Sequence, residues 1–177
     1  MIVVEKPIGE DVQGIEDVFY KTWLLMFPNQ RYGITEEDIR EYFKDIYSDV
    51  VDTQITKYIF SMPENELFLV AKENEVVVGI CRAKKGSIHN ELDVEYVLPE
   101  YQGRGVGSLF WEKVKNFLGN EKDTIVRVPI YNKRAIKFYT ERGFVDTGKQ
   151  ILDERLRMPV SKNIIPEVEL VLKAHMH

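Results

Sequence analysis

Between Tyr101 and Phe110 the chain reads YQGRGVGSLF, three glycines at alternate positions leading into a helix-forming run. Gly103, Gly105 and Gly107 allow a backbone that turns tightly and approaches a ligand closely. A helix starting there presents unpaired N–H groups and the positive end of its dipole, which together suit a phosphate or pyrophosphate. Arg104 can add a charge-assisted contact. The loop lacks the lysine of the GxxxxGK-Ser/Thr P-loop, and its GxGxG spacing is one residue short of the dinucleotide GxGxxG pattern. A tight strand-to-helix turn without a ligand is the plain alternative.

Upstream, Glu91, Asp93 and Glu95 alternate with Leu92, Val94 and Tyr96. Strand alternation places the three carboxylates on one face. There they would attract a cation, and mutual repulsion would raise at least one pKa. A solvated strand face is the alternative. Other reactive side chains carry less. Cys81 and His89 could form a nucleophile pair, but a buried strand cysteine is the commoner outcome. Lys84 and Lys85 could meet a phosphate or solvate a turn. Tyr20, Trp23, Phe27 and Tyr32 could line a ligand pocket, although their helical spacing favours the core. His175 and His177 form a terminal HMH, a weak metal signal, and no Cys/His/Asp cluster has ligand spacing, so no metal is expected.

These residues need a frame. IVVEK (2–6) reads as a strand, and 11–27 as a helix with Val12, Ile15, Phe19 and Trp23 on one face, stopped by Pro28. Thr35 followed by Glu36, Glu37 and Asp38 reads as a cap with an acidic first turn. A third helical stretch covers 52–60. Residues 67–71 and 76–83 form a hairpin around KENE, and 88–98 a further strand. Val106, Leu109, Phe110, Val114, Phe117 and Leu118 give 105–118 one apolar side, with Gly119 placed to end it. Residues 125–128 form a strand. Asn132 caps a helix to about Glu141, Gly143 stops it, and 144–147 and 164–172 are the last strands. The expected fold class is α/β in the α+β sense. It has one mixed, mostly antiparallel sheet of about seven strands with about four helices.

The 177 residues fit one domain, 1–177, with 44% hydrophobic and 30% charged residues. The net charge of −5 argues against a nucleic-acid partner and tilts towards a cationic one. No apolar run approaches the roughly 18 residues of a membrane span, so no membrane association is expected. The start, MIVVEKPIGED, lacks a secretory pattern, and the single cysteine fits a reducing compartment, so the expected location is cytoplasmic.

VLPEYQGRGVGS (97–108) resembles the acetyl-CoA signature of the GNAT acetyltransferase superfamily, Gln/Arg-x-x-Gly-x-Gly/Ala, filled by Gln102, Gly105 and Gly107. A second likeness follows in order: NKRAIKFY (132–139), then Glu-Arg-Gly143-Phe144, resembles that family's later helix. The resemblance implies a GNAT-like fold and acetyl transfer from acetyl-CoA, a co-substrate, to a primary amine by direct attack in a ternary complex. It implies that the fourth strand splays from the fifth and pairs its backbone, at Glu95, Tyr96 and Val97, with the pantetheine arm. The pyrophosphate would rest on Gln102, Gly103, Arg104, Gly105, Val106, Gly107 and Ser108. Asn132 would bond the pantetheine, and Tyr139 would serve as general acid to the thiolate while bordering the cofactor. Glu91, eleven residues before Gln102, matches a position that serves some members as base, directly or through water. A Trp-containing helix followed by PN…GIT is similar to members that acetylate spermidine-like amines. The favoured acceptor is therefore a polyamine or other small cationic amine. The alternatives are a peptide or protein amine, or a non-catalytic acyl-CoA-binding regulatory module. A homodimer is the oligomer to test for.

Overall fold

The computed structural model describes residues 1–174, so His175 and His177 lie outside the described residues. Its strands are β1 (Ile2–Glu5), β2 (Glu66–Glu73), β3 (Val76–Lys84), β4 (Asn90–Val97), β5 (Thr124–Pro129), β6 (Val145–Arg157) and β7 (Ile164–Leu172). They form a seven-stranded sheet in the order β1-β2-β3-β4-β5-β7-β6. Neighbouring strands are antiparallel except β4 and β5, which run parallel. Five helices accompany the sheet: α1 (Val12–Met26), α2 (Glu36–Tyr42), α3 (Asp49–Ser61), α4 (Val106–Leu118) and α5 (Lys133–Thr140). The mixed α/β expectation of about seven strands holds, with one helix more than the four or so expected.

The helices divide between the two faces of the sheet as their apolar residues dictate. Val106, Phe110, Val114 and Leu118 of α4, with Tyr139 of α5, pack on Leu69, Ala71, Cys81, Ala83 and Leu92. On the other face Ile15 and Val18 of α1 and Ile55, Tyr58 and Ile59 of α3 meet Phe68, Val70, Ile80 and Val94. Each large side chain so buried stabilises the fold by roughly 1.5–3 kcal/mol. A third cluster joins Trp23 of α1, Phe27 just after it and Ile39 of α2 to Met158 and Ile165 at the β6–β7 turn. The expected cap is present: the Thr35 hydroxyl accepts from Asp38 N–H at 3.1 Å, and Asp38 Oδ2 accepts from Thr35 N–H at 2.9 Å.

Two departures from the sequence reading matter. First, β6 extends to Arg157, well past the expected end at Thr147. It is one of the sheet's two edge strands and is mostly exposed, so its residues carry no alternating apolar pattern to read. Second, β4 is not evenly alternating. Ala83 pairs with Leu92 and Arg82 with Val94, so Asp93 is an extra, bulged residue. Leu92 therefore packs on the α4 side and Val94 on the α1 side. The expectation that Glu91, Asp93 and Glu95 share one face is corrected by this bulge, which reverses the pleat between Leu92 and Val94.

Candidate active site

The parallel pairing of β4 and β5 lasts only from Asn90–Leu92 against Thr124–Val126. Beyond it β5 stays paired with β7 as far as Pro129, while β4 stays paired with β3 to Val97. The two strands splay, and the β5-facing backbone of β4 after Leu92 lacks a partner strand. A cleft of about 400 Å³ fills the splay. At one end lie Gly103, Gly105 to Ser108, Asn132 and Arg134. At the other lie Thr22 of α1 and Phe27 just after it, with Asp93, Arg127 and Glu167, while Met26 reaches back to Gln102, its sulfur 3.6 Å from Nε2. Glu95, Tyr96, Val97 and Tyr139 line the passage between the two ends.

The glycine loop is shaped as its sequence requires. Gly105 is the N-cap of α4 at φ +87°, a left-handed conformation that strains any residue with a Cβ. Gly107 has no room for a side chain: a Cβ would come within 2.9 Å of Glu95 Oε1 and of Phe138. The first N–H groups of α4 have no carbonyl one turn back and face this end of the cleft, which fits a phosphate. Gln102 braces the loop from behind, donating from Nε2 to the Val97 carbonyl at 2.9 Å and accepting from Arg134 at 2.7 Å. Arg104 turns to Glu73 at 2.6 Å and covers the Tyr101 ring at 4.8 Å, holding the loop to β2. Val106 is buried in the core beneath the loop. Ser108 accepts from Arg142 at 2.8 Å, and the Arg142 guanidinium stacks on Phe138 at 3.5 Å. Asn132 caps α5, its Oδ1 accepting from Ala135 N–H at 3.1 Å, while also lining the cleft.

Tyr139 is 4% exposed, and its hydroxyl donates to Glu95 Oε2 at 2.9 Å. Burial pushes Glu95 up to about 7, against the hydrogen bond from Tyr139 and the charge of Arg142, which both act to lower it. Burial and then the Glu95 charge push the Tyr139 phenol well above its usual range. Tyr96 points the other way, its ring edge-on to Phe19 at 5.7 Å. Val97 packs against the α4 cluster.

Glu91 stands on the sheet face opposite Leu92 and meets His89 at 3.1 Å. Asp93 holds Arg82 through paired contacts at 3.1 and 2.5 Å. The bulge thus leaves Glu91 and Asp93 apart from Glu95. Cys81 is fully buried directly across from Glu95, and burial pushes its thiol well up, so it forms no nucleophile pair with His89. Lys84 pairs with Glu66 at 3.5 Å and Lys85 covers Phe117, both away from the glycine loop. Trp23 and Phe27 stack at 4.2 Å in the core, with Phe27 also at the cleft wall.

Glu167 and Arg142 are among the cleft residues that the sequence reading did not single out. Glu167 lines the α1 end, and burial pushes its carboxyl up to about 7, opposed by Arg127 and Arg155 and aided by Asp153. Its signal is a pair of glutamates, Glu167 and Glu169, inside the otherwise apolar run IIPEVELVL. Arg142 was read only as part of the turn before Gly143. Among the described residues, no group of three or more His, Cys, Asp or Glu is placed to hold a metal. Among them, too, no helix is long and apolar enough to cross a membrane.

Residues 31–159, well over half of the chain, match the family model described as an acetyltransferase (GNAT) domain. The chain is 30% identical over 90 residues to YrkN of Bacillus subtilis (strain 168), an uncharacterized protein. That match covers 48% of this chain and 47% of YrkN, so the chain spans about half the length of this curated relative. Among solved structures, the PaiA N-acetyltransferase of Thermoplasma acidophilum in complex with coenzyme A is similar, with a TM-score of 0.71. It is 19% identical, and the likeness covers 99% of each chain. The ribosomal-protein-S18-alanine N-acetyltransferase of Escherichia coli is similar with a TM-score of 0.65 at 15% identity, over 100% of this chain and 96% of that one. Both likenesses show the fold.

Proposed function

The chain belongs to the GNAT acetyltransferase family, and from that premise we propose that it transfers the acetyl group of acetyl-CoA to a primary amine. The observation that carries this reading is the cleft through the β4–β5 splay, which joins the glycine loop on one side to carboxylates on the other past Tyr139.

In this reading the N–H groups from Gln102 to Ser108 hold the pyrophosphate, and the unpaired β4 backbone from Glu95 to Val97 aligns the pantetheine and the acetyl carbonyl. The β4 backbone N–H groups also stabilise the oxyanion that forms when the amine attacks. An amine with a pKa near ~10 arrives protonated and must lose a proton first. Two carboxylates on the acceptor side can receive it: Glu167 at the cleft wall, and Glu91 through water. Tyr139 gives its proton to the departing thiolate. The favoured acceptor is a polyamine or another small cationic amine. The supports are Asp93 and Glu167 beside the aromatic wall of Phe27 and Tyr96, since a carboxylate among rings suits an alkylammonium.

A panel of polyamines, small monoamines and peptides, assayed with acetyl-CoA by thiol release, tests both levels of the proposal. The expected result is the highest kcat/KM with a polyamine, and about a 100-fold loss of kcat in Tyr139→Phe with acetyl-CoA affinity kept. Preference for peptides overturns the acceptor; no thiol release with any amine overturns the reaction.

A further inference from the structure

The bulge at Asp93 sends Glu95 to the α5 side of the sheet, away from the other two carboxylates of β4. There its two oxygens have different neighbours. Oε2 accepts from the Tyr139 hydroxyl at 2.9 Å. Oε1 lies against Gly107 of α4, so closely that a Cβ there would stand 2.9 Å away. Cys81 of β3 is the residue across the strand pair, and Arg142, just after α5, is the cation that acts on the carboxyl. The carboxyl is partly buried, since it also lines the cleft, and its removal from bulk water favours the protonated form.

The hydrogen bond has two forms. Ionised Glu95 takes the Tyr139 hydrogen, and the phenol oxygen then offers only lone pairs to the cleft. Neutral Glu95 donates its own O–H to the phenol oxygen, and the Tyr139 hydrogen is free to turn towards the cleft. Burial raises Glu95 to about 7, so both forms are populated near neutral pH.

We propose that Glu95 is a positioning residue that acts through Tyr139: the neutral pair is the acid that protonates the departing thiolate, and the ionised pair is not. This inference rests on the acetyl-transfer reading above. As the C–S bond breaks, sulfur takes the Tyr139 proton, the Glu95 proton passes to the phenol oxygen, and solvent reprotonates the Glu95 carboxylate. The acetyl group passes to nitrogen, and the proton of the amine leaves through the carboxylates on the opposite face. Acid and base then belong to different faces of the sheet.

The test is kcat at saturating substrates for wild type and Glu95→Gln between about pH 6 and pH 9. The Gln amide N–H donates to the phenol oxygen at every pH and so mimics neutral glutamate. Taking the ratio of the two enzymes cancels the ionisation of the amine. The expected wild-type to Glu95→Gln ratio falls about tenfold or more across that range. In a Tyr139→Phe background, which removes the oxygen through which Glu95 acts, the same ratio is flat. A flat ratio in the wild-type background overturns the inference. Calorimetric binding of CoA verifies that each variant folds.

A second readout needs no turnover. The carbonyl band of protonated Glu95, followed by infrared titration, has a midpoint that moves up in Tyr139→Phe because the hydrogen bond that lowers it is gone. An unmoved midpoint overturns the sharing of the proton. If wild type releases no thiol with any amine, the acetyl-transfer reading fails, and the infrared midpoint still decides whether the two side chains act as a pair.

Discussion

At the scale of the residue, the cleft separates carboxylates that look equivalent in the sequence. Glu91, Asp93 and Glu95 occupy alternate positions, yet only Glu95 meets Tyr139, and Asp93 is held by Arg82. Glu167, from a strand far along the chain, supplies the carboxyl pushed up to about 7 at the cleft end away from the glycine loop. If Glu167 binds the acceptor ammonium, removing its charge costs a charge-assisted contact of about 1.5–3 kcal/mol. Glu167→Gln is therefore expected to raise the amine KM about tenfold or more, leave the KM for acetyl-CoA alone and shift the pH–rate profile. An unchanged amine KM removes Glu167 from the acceptor site. An unshifted profile in Glu91→Gln likewise removes Glu91 from the proton path.

The elements that carry these residues are held by a small number of polar ties. Asp38 is the clearest. Its Oδ2 caps α2 through Thr35, while its Oδ1 accepts from Val160 and Ser161 N–H at 3.1 and 2.7 Å, fastening α2 to the β6–β7 turn. Burial alone would raise this carboxyl, but the donors from Ser161 and Thr35 outweigh it and hold it below the usual range. The folded pKa is thus below the unfolded value of about 3.9. The stabilisation is present above that value and is lost as pH falls through the folded pKa. Asp38→Ala is expected to cost roughly 1–3 kcal/mol near neutral pH, from the lost cap and the unpaired N–H groups. Thermal unfolding should show the gap to wild type narrowing below about pH 4; a gap independent of pH sinks this account.

For the molecule as a whole, two helices that cover one face of the sheet are joined by acids. Glu16 of α1 is 1% exposed, and its Oε1 has no hydrogen-bond partner. Burial, then Asp52 of α3 and Asp17, push it up to about 8. Here the folded pKa is raised, so the folded chain keeps a proton that the unfolded chain releases. Stability accordingly falls as pH rises from about 4 to about 8. Glu16→Gln removes that loss. Its Tm is expected to exceed that of wild type increasingly through this window, by the equivalent of a few kcal/mol near pH 8. Equal Tm differences at about pH 5 and pH 8 would contradict this.

The sequence by itself determined the family, the element order and the glycine loop. Those features are local: positive φ at Gly105, the Thr35 and Asn132 caps and the apolar faces of α1 and α4 follow from side-chain chemistry within a few residues. Tertiary structure alone decided which acids stand on which side of the cleft. A strand's pleat is read with period two, and one extra residue at Asp93 inverts every later side chain, a change legible only from the pairing with β3. The same holds for Glu167, which reaches the cleft because β7 inserts beside β5, and for β6, whose exposed edge has no core-facing stripe. Contacts between distant segments depend on sheet order and strand register, and neither is encoded in the spacing of neighbouring residues.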